Sequence, residues 1–149
     1  MKALTLTQPW ASLVASGRKQ VETRSWYSSY RGPLYIHAAK RFPTSAKRFA
    51  AELSGNPATV RYMPLGAIVA RCYLLDCRTV EHVQVTEQER KYGDYSPGRY
   101  AWILTNIEWL EPTPCKGALG LWNVPAEVLH LLYDKNHAWL QRKDILRLF

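Results

Sequence analysis

The run from Ser16 to Trp26, SGRKQVETRSW, constrains the fold of this chain more than any other stretch. An apolar segment leads into it, with Trp10, Leu13 and Val14 on one face at helical spacing. Gly17 is expected to stop that helix in the left-handed conformation that glycine adopts cheaply. Val21 to Arg24 then reads as a short strand. Side chains alternate along a strand, so Glu22 and Arg24 share a face, and Lys19 at the turn leans over it. One carboxylate between two cations stays ionised and fixes both. Such a cluster is either a fold-stabilising ion pair or the floor of a binding site.

Charge favours the second possibility. The net charge of +8 resides in residues 1–50, where nine Lys and Arg face a single acid, Glu22. The remaining residues balance at eleven of each sign. A single-sign surface of this kind draws polyanions through counterion release. Six Trp and nine Tyr are more than a core of this size hides, so some rings are expected outside, where they stack on bases. Together these features point to RNA or DNA, or a nucleotide-like small molecule, as the partner.

Other classes receive no support. Three cysteines make no disulfide framework. Cys72 and Cys77, five apart on a strand, are expected on opposite faces and unable to share a metal, and Cys115 stands alone. All three read as reduced thiols of a cytoplasmic protein. His82, His130 and His137 lack metal-ligand spacing, and no glycine-rich phosphate loop occurs, so neither metal nor cofactor is expected. No apolar run is long enough to span a membrane, and the start, MKALTLTQPW, lacks a signal-peptide core.

The length suits one domain, residues 1–149, with a helical extension over about 125–149. Lys2 to Leu6 reads as a strand, followed by a helix with Thr7 as its cap and Pro9 in its first turn. Leu34 to Ala39 is a strand with Tyr35 and His37 on one face. Thr44 or Ser45 caps a helix to about Leu53. Leu65 to Cys77 and Tyr100 to Ile107 are long strands, and Pro112 to Gly120 is a turn region. Thr86 and Glu89 form a capping box. Leu121-Trp122 is a last short strand. Pro125 opens a helix carrying Val128, Leu129 and Leu132, and the tail with Trp139, Leu140, Ile145, Leu146 and Phe149 is helical. Strands this few and uneven fit an α+β fold: a small mixed β-barrel of about five to six strands, short helices at its ends and C-terminal helices packed on it.

The run QPWASLVASGRKQVETRSWYSSYRGPLYIHAA resembles the ASCH domain, named for homology to activating signal cointegrator 1. The family's G-x-K-x-x-E-x-R motif is matched by Gly17, Lys19, Glu22 and Arg24. Gln8-Pro9-Trp10, Ser25-Trp26-Tyr27 and Arg31-Gly32 resemble the cointegrator branch. YAWIL and KGALGLW are similar to bacterial and phage members. The resemblance extends to about Val124. It implies a PUA-like barrel, a fold used for RNA recognition, with the motif lining a cleft beside it. Members are linked to RNA or DNA binding, to ribonuclease activity, and to an amidohydrolase that deacylates N4-acetylcytidine.

Three functions follow. In a binding module, Lys19, Arg24, Arg31, Lys40 and Arg41 meet phosphates, while Trp26, Tyr27 and Tyr30 stack on unpaired bases. Glu22 then reads an exocyclic amine or holds Lys19 and Arg24. In an amidohydrolase, the resemblance makes Lys19 catalytic with a later acid, for which Glu87 and Glu89 are the candidates. The threonine of the deacetylating members is replaced here by Glu22, and a carboxylate beside Lys19 favours its ammonium over a free-amine base. In a metal-independent ribonuclease, Lys19 acts with His37 or Tyr35. Lys19 and Glu22 are thus the catalytic candidates if the chain is an enzyme. The binding candidates are Lys19, Glu22, Arg24, Trp26, Tyr27, Arg31, His37, Lys40 and Arg41.

Overall fold

A computed structural model describes residues 1–147, with side chains described through Asn136. Six strands form one sheet in the order β2-β5-β4-β3-β1-β6. They are β1 (Lys2–Leu6), β2 (Val21–Arg24), β3 (Gly32–Ala38), β4 (Ala67–Thr79), β5 (Tyr100–Pro114) and β6 (Leu121–Asn123). β1 runs parallel to β3, and every other pairing is antiparallel. The helices are α1 (Trp10–Ala15), α2 (Thr44–Ser54), α3 (Glu87–Lys91) and α4 (Ala126–Arg147). The mixed barrel takes the form of a curled half-barrel, whose outermost strands are β2 and β6.

Period-two alternation sorts the central strands between two cores. Leu34, Ile36 and Ala38 of β3 join Leu4, Leu6, Leu74, Trp102 and Val14 of α1 in the larger one. Tyr35, on the opposite face, joins Ala3, Ile68, Leu110 and Trp122 beneath Val128 and Leu132 of α4. β3 is therefore buried on both faces, and each large apolar side chain so placed contributes about 1.5–3 kcal/mol.

Several local readings need correction. β4 shifts register between Leu74 and Asp76, and the bulge resets its alternation. Cys72 and Cys77 consequently lie in the same core cluster, not on opposite faces. Thr7 does not cap α1; the Gln8 side chain accepts the Ser12 N–H at 3.0 Å instead. Neither Thr44 nor Ser45 caps α2, which follows Pro43 without a side-chain cap. Thr86 accepts the Glu89 N–H at 3.1 Å, but the Glu89 carboxylate turns away to the Gln20 and Val21 N–H groups. β5 continues through Pro114, into the region expected to turn. The C-terminal segment is one helix to Arg147; the side chains of Trp139, Leu140, Ile145 and Leu146, and all of Phe149, lie outside the described residues. Among the described residues no helix is long and apolar enough to cross a membrane.

Candidate nucleic-acid interface

The helix–glycine–strand unit forms as its sequence directs. Gly17 ends α1 at φ +79°, and the chain enters β2 with Glu22 and Arg24 on a common face. Glu22 Oε2 lies 3.8 Å from Arg24 Nη1, and Glu22 Oε1 lies 3.6 Å from Lys19 Nζ. Glu22 Oε1 also accepts the Thr23 N–H at 3.1 Å. The three charged groups are thus together, but not equally available.

Lys19 is fully buried. Its ammonium donates to Val21 O at 2.6 Å and to Tyr92 O at 2.9 Å, tying β2 to the end of α3. Burial lowers its pKa, opposed by the nearby carboxylates of Glu22 and Glu89. Glu89 is held in turn by the Gln20 and Val21 amides, so the turn that carries the motif is pinned from α3 by an acid and a backbone carbonyl. Glu87 is exposed on α3. Arg24 is half-buried and crosses to β1, where its Nη2 donates to Thr5 O at 3.1 Å. Among the described residues its buried Nε has no hydrogen-bond partner.

Glu22 and Arg24 line a pocket of about 400 Å³. Trp10 and Phe49 also line it, their rings stacked at 5.6 Å and 18°. Lys91, Asp94 and Arg99 add charge at its wall. Arg99 reaches Asp94 Oδ2 at 3.6 Å and the Thr23 carbonyl at 3.3 Å. Trp10, Phe49, Lys91 and Arg99 escaped the sequence reading. Trp10 sits at core spacing in an apolar helix, and Arg99 is distant in the chain, reaching β2 only through the β2–β5 pairing.

The other candidates divide into two further places. Trp26 is partly exposed, its ring edge-on to Trp102 at 4.7 Å. Tyr27 is half-exposed, edge-on to Tyr100, with Arg31 over its ring at 5.7 Å. Arg31 is a brace for this loop: it donates to Ser28 O and Tyr30 O and pairs with Asp76 at 3.4 Å. Tyr30 packs against the core and donates to Pro33 O, which removes it from the set of stacking rings. His37, Lys40 and Arg41 line a separate pocket of about 840 Å³.

His37 itself is buried and fully occupied. Trp122 Nε1 donates to Thr5 Oγ1 at 3.0 Å, which leaves the Thr5 hydroxyl hydrogen for His37 Nδ1 at 3.2 Å. His37 Nε2 then carries its own proton and donates to Cys115 O at 2.6 Å. Burial lowers the pKa, the bond to Cys115 opposing, and the neutral ring is the form this network requires. Among the described residues no group of His, Cys, Asp or Glu is arranged to hold a metal.

The curled, mixed half-barrel with a charged cleft beside it has the PUA-like fold. The ASCH domain model matches residues 4–114, and the chain belongs to the ASCH domain family, which is associated with RNA binding. It is 31% identical over 137 residues to activating signal cointegrator 1 from mouse and from human. That match covers 84% of this chain but only 22% of either relative's length. The ASCH protein from Zymomonas mobilis has the same fold, with TM-score 0.55 and 15% identity, over 89% of this chain and 93% of that one. A Tyr-to-Phe variant of that protein matches equally, over 96% of its chain.

Proposed function

We propose that this chain binds single-stranded nucleic acid, RNA in the first instance, by admitting an unpaired base or nucleotide to the pocket floored by Glu22 and Arg24. One observation carries the reading: two carboxylates, two guanidinium groups and a stacked aromatic wall converge on a single cavity. A base entering there finds the Trp10 ring for stacking. The Glu22 carboxylate accepts from an exocyclic amine, while Arg24 and Arg99 offer hydrogen bonds to phosphate or sugar. Trp26 and Tyr27 supply further ring surface outside the pocket. The chain acts in the cytoplasm as one domain, α4 being its extension.

The state of Lys19 favours binding over hydrolysis. Lys19 is fully buried, lines neither pocket and donates to two carbonyls, whereas a general base needs an amine within reach of substrate. RNA is expected to remain intact in EDTA, and N4-acetylcytidine unchanged. Turnover of either, lost in Lys19→Ala, would replace this reading with a hydrolase. The binding reading is tested by titrating a short single-stranded RNA against Trp10→Ala. Loss of one stacking contact, about 1–3 kcal/mol, weakens binding roughly 5- to 150-fold. Trp109→Ala, which removes an exposed ring that lines no pocket described above, leaves affinity unchanged. Equal affinity of the Trp10 variant and wild type would exclude the pocket.

A further inference from the structure

The geometry points to a second, separate anion site in the pocket of about 840 Å³ beside Lys40, Arg41 and Lys116, which takes a phosphate group of the bound nucleic acid. This rests on the nucleic-acid reading above and adds a subsite to it.

Three observations carry it. First, the charge in this pocket is of one sign. Among the described residues Lys40, Arg41 and Lys116 line it and no carboxylate does, whereas Glu22 and Asp94 stand in the smaller pocket. Second, these cations are uncommitted. Among the described residues Lys19, Arg24, Arg31, Arg78 and Arg99 are each paired with an acid, and Lys40, Arg41 and Lys116 are not. Unpaired cations around a concavity raise the local concentration of anions and are free to form charge-assisted hydrogen bonds. Third, the polar groups of the floor are already satisfied. His37 spends both ring nitrogens and Thr5 its hydroxyl within the protein, so recognition falls to the rim cations.

The rim also has an apolar part. Leu119 is 98% exposed and Leu65 43% exposed, and both line the pocket. Such a flank suits the face of a sugar or base beside the phosphate better than it suits a fully hydrated inorganic ion. Thr5 joins the two pockets: its carbonyl holds Arg24 of the first, and its side chain floors the second. A strand with one base in the first pocket therefore has cations available for a neighbouring phosphate in the second.

The test measures the affinity of a short single-stranded RNA across salt concentrations for the wild type, Lys40→Ala/Arg41→Ala, and Arg18→Ala/Arg61→Ala. The last pair is exposed, lines neither pocket and removes the same charge. Each phosphate neutralised on a single strand contributes about −0.7 to the slope of log K against log salt. The pocket double variant is expected to flatten that slope by about 0.7–1.4, and the control to leave it unchanged. Competition by AMP that the pocket double abolishes would assign a free or terminal nucleotide phosphate; a flattened slope without such competition assigns the internal backbone. Equal slopes in wild type and pocket double, or equal flattening in both doubles, would overturn the second site while Trp10-dependent binding stood. Failure of the wild type to bind RNA would overturn both readings.

Discussion

Lys19→Met is expected to lower the unfolding free energy by about 3–5 kcal/mol, the cost typical of removing one partner from a buried charge cluster. At about 2–4 °C per kcal/mol for a chain of this size, the midpoint falls by roughly 6–20 °C, read by thermal or urea denaturation. The argument runs through what is left behind, not through the charge alone. Burial penalises the ammonium, as its lowered pKa records, so the cation is not favourable for its own sake. Its removal nonetheless orphans the Val21 and Tyr92 carbonyls and leaves Glu22 with Arg24 as its nearest remaining cation. Lys19→Met/Glu22→Met removes both charges and should recover part of the loss, because desolvating the carboxylate no longer costs anything. A single variant as stable as wild type would show that Lys19 does not hold β2 to α3.

Gly117→Ala carries the second large effect. A β-carbon at this position would lie 2.6 Å from His37 Cε1 and 2.8 Å from Thr5 Oγ1. Neither can move aside cheaply, since the imidazole is anchored at both nitrogens and the hydroxyl bridges Trp122 to it. The loop from Cys115 to Leu119 must lift instead, breaking the His37 bond to Cys115 O. Overpacking of this kind costs about 1–3 kcal/mol, and denaturation measures it. Lifting the loop also carries Lys116 and Leu119 away from the larger pocket. RNA affinity should therefore fall along with stability, whereas Lys19→Met, measured well below its midpoint, acts mainly on stability. Unchanged stability in Gly117→Ala would mean that the loop does not rest on His37.

The motif was legible because its chemistry is local. Glycine, the strand alternation of Glu22 and Arg24, and the short reach of Lys19 fix the cluster within one turn and one strand. The curled mixed sheet was legible as well, from uneven strands separated by short helices. What the sequence hid depends on pairing across the sheet. The bulges of β4 follow from its register with β5, and they decide that Cys72 and Cys77 share a face. The expected site divides into two pockets, Leu6 and Thr7 lining the first and Thr5 the second, while the Thr5 carbonyl accepts from Arg24 of the first. Trp10 looked like a core residue because it sits at core spacing, and only its stacking on Phe49 of α2 makes it a pocket wall. His37, a candidate for ligand or proton transfer, is closed off by three partners distant in the chain.

The claim that a base enters between Glu22, Arg24 and the Trp10 ring is tested most directly by the indole N–H resonances of ¹⁵N-labelled protein during titration with single-stranded RNA. Trp10 is expected to shift in proportion to occupancy, and Trp109, which is exposed and lines neither pocket, to stay in place. Movement of Trp109 with Trp10 unperturbed would contradict it.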